Sequence, residues 1–473
     1  MSLQRQGYLL LLLALPVCMG GFANAGDWEL TDSISYGATA VQRDNETGSD
    51  EDRLVFTVTP SIRLKGEGRK ISGDIQYGLT AAFDAQDSDS GLSHSLRGRV
   101  ESEIIEDFFF LNATAFAGLT SGTSTSASVD EVSSDSESLQ TYSFSLSPIF
   151  QQSLGRHANL VSRNRFYYSG SDDSDREETT SRSLNLGIES GRGAGRTTWF
   201  AGYTNTYTDS SGREETVESL NTGVGYRLNR SWQVNAGLGY GDSDASTLRS
   251  SNSGMTWNLG ANWTPNPRTN ASFSYGENYW GEEWSGAFTH STRRTKASIK
   301  SSRSLTRSST LLANSATFAV LNPDGTPVLD PITGDPLVVT GLLLTPADEN
   351  YINTSLGIDI TLTGQRSSIT GGVTYQEREF DLSGKREDVV SYRLNGSRDL
   401  SGATKVTAGI GYADFSSSSD ADDDTLDFSL GITNQLGRFS NIGVLFRHRI
   451  FDSSDDSGYT EQRLSLTFST RFL

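Results

Sequence analysis

The sequence predicts an all-β chain that forms a closed antiparallel transmembrane β-barrel of about 22 strands, with about 20 strands as the alternative. Three features predict this fold class: apolar and polar side chains alternate along many short segments, the connections between the segments alternate in length, and the last segment ends in aromatic residues. Barrels of the Gram-negative outer membrane have these features, together with an even number of strands, short periplasmic turns and longer outer loops.

The alternation of side chains is the first feature. Successive residues of a strand point to opposite faces, so one row of a transmembrane strand meets lipid and the other meets the lumen. Such rows recur along the chain, for example in residues 54–64, 71–83, 232–240, 255–263, 406–412 and 426–432. Because both termini are expected on the periplasmic side, the strand number must be even. We therefore divide residues 284–311 into two strands around Arg293 and Arg294.

The lengths of the connections are the second feature. Short connections are predicted at residues 65–70, 106–107, 191–196, 229–230, 265–268, 364–367, 401–403 and 437–439. Long connections, most of them rich in aspartate, are predicted at residues 43–52, 84–92, 121–138, 169–179, 209–215, 241–251, 380–388, 416–424 and 452–458. The two kinds interleave as periplasmic turns and acidic outer loops would. A secreted β-sandwich adhesin could have the same composition, but it has no reason to alternate its connections in this way.

The C-terminal segment is the third feature. Leu464, Leu466, Phe468 and Phe472 share one face of the final alternating strand. Phe468 and Phe472 are our candidates for the signal that the barrel-assembly machinery recognises. Aromatic residues near other strand ends are expected to form the interfacial girdle of such barrels; they are Phe83, Tyr168, Tyr207, Tyr240, Tyr279, Trp280, Phe415, Phe451 and Tyr459.

The N-terminus predicts a secretory signal peptide at residues 1–25, leaving a barrel at residues 26–473. Arg5 precedes a short apolar run, Pro16 breaks that run, and Ala23-Asn24-Ala25 provides small residues for cleavage. A membrane-anchoring helix is the alternative. These residues predict Sec-type export to the outer membrane. The single cysteine lies within residues 1–25, so the predicted mature chain has no thiol for disulfides, zinc–thiolate sites or cysteine catalysis.

Composition excludes several classes of protein. The formal net charge is −19, the mean hydropathy is −0.42, and no second apolar run is long enough for a membrane-spanning helix. An acidic chain without a basic patch has no nucleic-acid site. The acidic loops could bind calcium or reach lipopolysaccharide phosphates through divalent ions, but solvated loops explain the same residues. No metal or other cofactor is predicted.

The lumen is where a function is expected. Charged residues on the face opposite the lipid rows are Arg63, Arg97, Arg99, Glu101, Glu103, Arg163, Arg165, Arg393, Arg447 and Arg449. They could line a pore for a hydrated or anionic polymer, since charged side chains tune what passes a channel. Equally, they could only neutralise each other and fill the interior. Residues 313–350 break the alternation with turn-forming Pro, Asp and Gly followed by an apolar run. This insertion is predicted either to gate the lumen or to form a surface hairpin.

No catalytic constellation is found in the sequence. His94 has Ser93 and Ser95 as neighbours, but adjacent residues of a strand point to opposite faces and cannot form a dyad. The same argument applies to His290 between Thr289 and Ser291. The chain is therefore predicted not to be an enzyme, and a barrel hydrolase with residues paired across strands is kept as the least favoured alternative.

Three short motifs carry a resemblance to a known family. Residues 276–281, Gly-Glu-Asn-Tyr-Trp-Gly, are followed by Phe-Thr-His-Ser-Thr-Arg-Arg-Thr at 288–295, and Leu-Ser-Pro-Ile-Phe stands earlier at 146–150. Together they resemble outer-membrane proteins associated with exosortase and PEP-CTERM exopolysaccharide systems. The resemblance implies an outer-membrane channel that serves exopolysaccharide export. Its expected partners are outer-membrane lipid, lipopolysaccharide, polysaccharide and periplasmic export proteins. A non-conducting structural or surface-interaction barrel is the alternative.

Overall fold

The computed structural model describes residues 26–86, 90–121, 138–172, 178–210, 213–245, 252–306, 318–319, 338–339, 349–418, 422–454 and 458–472. The predicted signal peptide at residues 1–25 lies outside the described residues, and so does most of the predicted insertion at 313–350. The described part of the chain contains no helix that is long and apolar enough to cross a membrane.

Long alternating segments form the strands of the sheet. The first half of the wall consists of β1 (Gly26–Asn45), β2 (Glu51–Gly68), β3 (Ile71–Asp84), β4 (Ser90–Ile105), β5 (Phe109–Ser121), β6 (Ser138–Leu154), β7 (Ala158–Ser171), β8 (Thr179–Ser190), β9 (Thr197–Ser210), β10 (Arg213–Arg227) and β11 (Trp232–Ser243). The second half consists of β12 (Ser253–Asn266), β13 (Thr269–Asn278), β14 (Gly281–Ser291), β15 (Thr295–Thr306), β18 (Tyr351–Thr363), β19 (Ser367–Phe380), β20 (Arg386–Asp399), β21 (Thr404–Ser417), β22 (Asp423–Gln435), β23 (Ser440–Ser453) and β24 (Tyr459–Phe472). Two short strands, β16 (Phe318–Ala319) and β17 (Val338–Val339), pair only with each other.

The sheet closes on itself. Each of its 22 strands is antiparallel to its neighbours, and the last strand returns to pair with the first. In that seam Tyr36 of β1 lies opposite Phe468 of β24, and Asp32 lies opposite Phe472. Closure leaves no free sheet edge, which is the requirement for strands that cross a bilayer. The predicted closed barrel of 22 strands is confirmed, including the division of residues 284–311 into β14 and β15.

The two faces of the wall have opposite character. On β22, Leu426, Phe428, Leu430 and Ile432 are 38–46 % exposed and point outward, while Asp423 and Thr425, at the start of the strand, are buried on the other face. Large apolar side chains exposed in this way need a lipid environment, because water would make the arrangement unfavourable. The apolar rows therefore define the outer face, and the rows between them define the inner face.

Connections at the end of the barrel where both termini lie are short. Asp107, Gly195 and Gly437 have positive φ in three of these turns, where a tight reversal requires it. Most of the opposite connections are longer, although only Tyr279 and Trp280 join β13 to β14, and one predicted loop needs correction. The predicted long loop at residues 209–215 is wrong, because β9 continues to Ser210 and β10 resumes at Arg213. Backbone pairing does not need apolar side chains, so strands continue past the lipid belt into polar sequence.

Three of the predicted girdle aromatics, Phe415, Phe451 and Tyr459, face inward instead. Phe415 and Phe451 are only 1 % and 2 % exposed, and they stand on the inner rows of β21 and β23. Phe451 packs against Tyr459, with ring centroids 5.3 Å apart. Phe83 and Tyr240, in contrast, are 50 % exposed on the outer face, as a girdle requires. Near a strand end, proximity to the interface alone does not tell which face an aromatic side chain occupies.

Candidate channel lumen

All ten charged residues that the sequence places in the lumen stand on the inner face. Each occupies an inward strand position, as Arg393 does between the exposed Tyr392 and Leu394 of β20. They fall on β2, β4, β7, β20 and β23. The ten side chains differ in the partner that each one contacts.

Arg63 and Arg99 are paired on the more open part of the wall. The guanidinium of Arg63 donates two hydrogen bonds to the carboxylate of Asp74 on β3, at 2.9 and 2.5 Å. Arg99 donates to Glu101 two positions along its own strand, at 2.9 and 2.5 Å. Because these side chains are 42–73 % exposed, water screens each pair and leaves the groups accessible to solutes in the lumen.

Other members of the ten are held against the wall; Arg449 is buried, Arg393 is half-buried and Arg165 is exposed. Arg449 donates to both carboxylate oxygens of Asp427 on β22, at 2.7 and 3.0 Å. Arg393 forms an ion pair with Asp359 of β18. Arg165 donates to the hydroxyl of Ser145 at 3.0 Å. Two-point contacts between guanidinium and carboxylate fix the side-chain geometry, so these arginines stiffen the wall.

A cluster beside the closing seam was not predicted from the sequence. Glu461 of β24 lies between Arg43 of β1 and Arg463, and its carboxylate accepts hydrogen bonds of 2.9–3.1 Å from the first and 2.5–3.0 Å from the second. Arg43 also stacks over the ring of Tyr459, 4.4 Å from its centroid. All three charged residues are at most 6 % exposed. The seam is therefore joined by a buried ion network as well as by its backbone ladder.

The residues that sequence reasoning missed are mainly the acidic partners. Asp74, Asp359, Asp427 and Glu461 all stand on inner rows, and alternation could have placed them there. Their pairing could not be inferred, since it depends on the register between strands. Arg43 belonged to a predicted loop and was found in a strand because β1 extends to Asn45.

The remaining part of the inner wall carries almost no charge. On β8–β13 the inward charged residues stand only near strand ends; they are Glu189, Arg213, Glu215 and Arg227. Between them the wall presents hydroxyls, amides and glycines. Thr204 donates to Asn185 at 2.8 Å, and hydroxyl pairs such as Thr206 with Ser183 lie 3.2 Å apart. We call this surface, the inner face of β8–β13, the neutral wall.

Asparagine side chains lie flat on the neutral wall. A Cβ atom added at Gly237 would stand 2.2 Å from Oδ1 of Asn258, and one added at Gly239 would stand 2.2 Å from Oδ1 of Asn221. An added Cβ at Gly237 would push the Asn258 amide away from the wall, and at Gly239 the backbone carbonyl of Leu220, 2.6 Å away, leaves no room for one. The result is a flat inner surface that exposes amide groups to the lumen.

The outer mouth of the barrel is bridged. Asn350, just before β18, donates its side-chain amide to Glu215 of β10 at 2.9 Å. In sheet order β11–β15 lie between these strands, so the path along the wall is six spacings, or about 29 Å. The neighbouring Glu349 accepts the backbone N–H groups of Leu382 and Ser383, at 2.7 and 2.9 Å. A direct contact between such distant parts of the wall narrows the mouth.

The described histidines are not arranged for catalysis. Nδ1 of His94 lies 2.8 Å from the hydroxyl of Tyr77 on the outer face, and Nδ1 of His290 lies 2.9 Å from the hydroxyl of Thr269. Neither contact supplies a nucleophile with an acidic third partner. Within the described ranges, no group of three or more His, Cys, Asp or Glu residues could hold a metal ion.

No family model and no curated protein matches this chain. Its fold is similar to that of a mutant of the ferric enterobactin receptor PfeA from Pseudomonas aeruginosa, with 8 % identity and a TM-score of 0.52 over 93 % of this chain and 81 % of that one. It is also similar to the siderophore receptor PirA from Acinetobacter baumannii, with 10 % identity and a TM-score of 0.50 over 94 % and 80 % of the two chains. At this level of identity the likeness shows the fold, a closed antiparallel barrel of the outer-membrane kind.

Proposed function

We propose that this chain is a passive outer-membrane channel that serves the export of exopolysaccharide. The observation that carries the proposal is the inner face of the closed barrel, which carries mainly polar side chains while the outer face is apolar. Barrels of about 22 strands usually contain a plug. Here the described strands belong to the wall, apart from β16 and β17. A wall with hydroxyls, amides and paired charges suits a hydrated, polyhydroxylated polymer.

The cellular setting is part of the same proposal. Residues 1–25 direct Sec-type export, and the barrel inserts among outer-membrane lipid and lipopolysaccharide. Polysaccharide and periplasmic export proteins are the proposed partners, and the short motifs at 146–150, 276–281 and 288–295 support a PEP-CTERM-type system. Membrane fractionation and the neighbouring genes test this setting. A location outside the outer membrane, or the absence of polysaccharide genes nearby, would count against it.

The function itself is tested by single-channel conductance of the refolded full barrel in a planar bilayer. Stable steps on the nanosiemens scale, interrupted when polysaccharide fragments are added, are the expected result. Conductance steps that do not change when the fragments are added would support a general pore and contradict polysaccharide export. A folded barrel without conductance would contradict the channel.

The second candidate function is a non-conducting structural or surface-interaction barrel. The bridge between Asn350 and Glu215 favours it, because the bridge narrows the mouth. Under this candidate the acidic outer loops would be the working surface, and the barrel would stay closed in the conductance experiment. An outer-membrane hydrolase has weaker support, since neither described histidine contact provides a triad.

A further inference from the structure

One aromatic ring faces the lumen from the neutral wall. Phe200 on β9 is 47 % exposed, and its neighbours Trp199 and Ala201 belong to the outer row. Its ring covers Gly223 of β10, because a Cβ atom added there would lie 2.4 Å from Cε1 and 2.8 Å from Cζ of Phe200. One side of the ring is therefore supported by the wall, and much of the remainder is open to the lumen.

Most of the polar groups beside this ring are uncharged. Thr198 on the same strand donates its hydroxyl to the carbonyl of Gly225 at 3.5 Å. The amide of Gln233 is also close to Gly225, with Nε2 3.3 Å from the position of an added Cβ. Asn235 stands directly opposite Gly225 on β11. The nearest inward charge by register is Glu189, opposite Phe200 on β8.

We propose that Phe200 and the amide and hydroxyl groups around it form a binding site for a neutral pyranose sugar. The face of an aromatic ring is electron-rich and attracts the C–H groups on the flat face of a sugar. Amides and hydroxyls beside the ring can exchange hydrogen bonds with the sugar hydroxyls. The inward charge opposite Phe200 is the carboxylate of Glu189, and the nearest inward arginine, Arg227, stands further along β10 opposite Gln233, so an anionic sugar would gain no charge pairing at the ring. The proposal rests on the proposed function and names the substrate class.

The position of the site suits a polymer that enters from the periplasm. Phe200 is near the start of β9, directly after the short turn at residues 191–196. Short turns mark the periplasmic end of the barrel. A sugar chain entering there would therefore meet Phe200 before it reaches the amides of Asn221 and Asn258 further along the neutral wall.

Calorimetry with a neutral gluco-oligosaccharide of six units, titrated into the folded full barrel in detergent, tests the site. We expect Phe200→Trp to keep binding and Phe200→Leu, which keeps apolar volume but removes the flat face, to weaken it roughly five- to tenfold. Gly223→Ala, which displaces the ring from the wall, should also weaken binding. The matched control is Phe116→Leu, since Phe116 is an inward phenylalanine opposite Arg97 on the charged part of the wall.

Equal binding by wild type and Phe200→Leu, an equal loss in Phe116→Leu, or no binding by wild type would overturn the site. Conductance of the same preparations separates this outcome from failure of the proposed function. A barrel that conducts but shows no binding dependent on Phe200 retains the channel and loses the sugar site. A silent barrel whose binding depends on Phe200 retains the site and loses the channel.

Discussion

Charged residues on the inner face act mainly as members of ion pairs, and burial decides how much each pair contributes to the stability of the fold. The pair between Arg99 and Glu101 is open to water, whereas the carboxylate of Glu461 is shared by two arginines in a buried cluster. Removing one member of a buried group leaves the other charge without compensation. Exposed pairs have little such effect, because water replaces the lost partner.

We predict that Glu461→Gln destabilises the barrel by about 3–5 kcal/mol, since Arg43 and Arg463 would remain buried without their carboxylate. Urea unfolding followed by tryptophan fluorescence in detergent measures this change. Glu101→Gln is the matched control and should leave the unfolding midpoint nearly unchanged. Equal midpoints for the two variants would show that the cluster at the seam does not stabilise the fold.

Another residue-scale prediction concerns ion selectivity. Arg163 is exposed on the inner face of β7, so its charge can act on ions in the lumen. We expect Arg163→Glu to shift the reversal potential in a salt gradient toward the value of a cation-selective pore, because charged side chains along a pore determine which ions pass. Arg196→Glu, in a periplasmic turn, should shift it less. An unchanged reversal potential in Arg163→Glu would argue that ions do not pass along β7.

The strands determine the architecture of this molecule. Each strand is specified by side chains that alternate between its two faces with a period of two residues. Alternation predicted most of the strands, while the division between β14 and β15 at Arg293 and Arg294 was predicted from the even strand number that two periplasmic termini require. It failed at the outer ends of strands, where both faces are polar and the pattern disappears. The predicted loop at 209–215 is such a case, since β9 and β10 remain paired there through their backbones.

The last strand carries an element-scale prediction. Phe468 and Phe472 are 38 % and 52 % exposed on the outer face of β24, opposite β1. If they form the assembly signal, the double variant Phe468→Ala with Phe472→Ala should greatly lower the amount of heat-modifiable barrel in cells. The same variant should still refold in detergent, where no assembly machinery acts. Loss of refolding in detergent as well would instead indicate a packing role.

The whole molecule combines a wide barrel with a narrowed mouth. The bridge between Asn350 and Glu215 joins β10 to the start of β18, and the insertion between β15 and β18 ends at this bridge. The short strand β17 has Cα atoms within 8 Å of β21, which lies further around the wall. These described parts agree with the gate that we predict at residues 313–350, although most of that segment lies outside the described residues.

We predict that removing the bridge widens the channel. The double variant Asn350→Ala with Glu215→Ala should have a larger single-channel conductance than the parent barrel, and deletion of residues 322–344 should increase it further if the insertion is a gate. Asn262→Ala is the control, because Asn262 is an inward asparagine of β12 away from the mouth. Conductance unchanged in both the double variant and the deletion would assign the insertion to a surface hairpin.

The sequence by itself determined the fold class, the strand number and the face of most residues. Those properties follow from local rules: alternation sets the face, turn residues set the short connections, and an even number of strands follows when both termini lie on one side. The ten lumen residues could be named in this way because each lies within a clear alternating row, as Arg63 does between Ile62 and Leu64.

Only the tertiary structure decided what those residues do together. Register brought Asp427 to Arg449 and Glu461 to Arg43, closure brought the first strand beside the last, and the mouth brought Asn350 to Glu215. The flat ring of Phe200 over Gly223 likewise depends on which glycine of the next strand lies opposite. A side-chain pattern specifies the face of a strand, whereas contacts between strands depend on backbone pairing over long sequence distances, which no local pattern encodes.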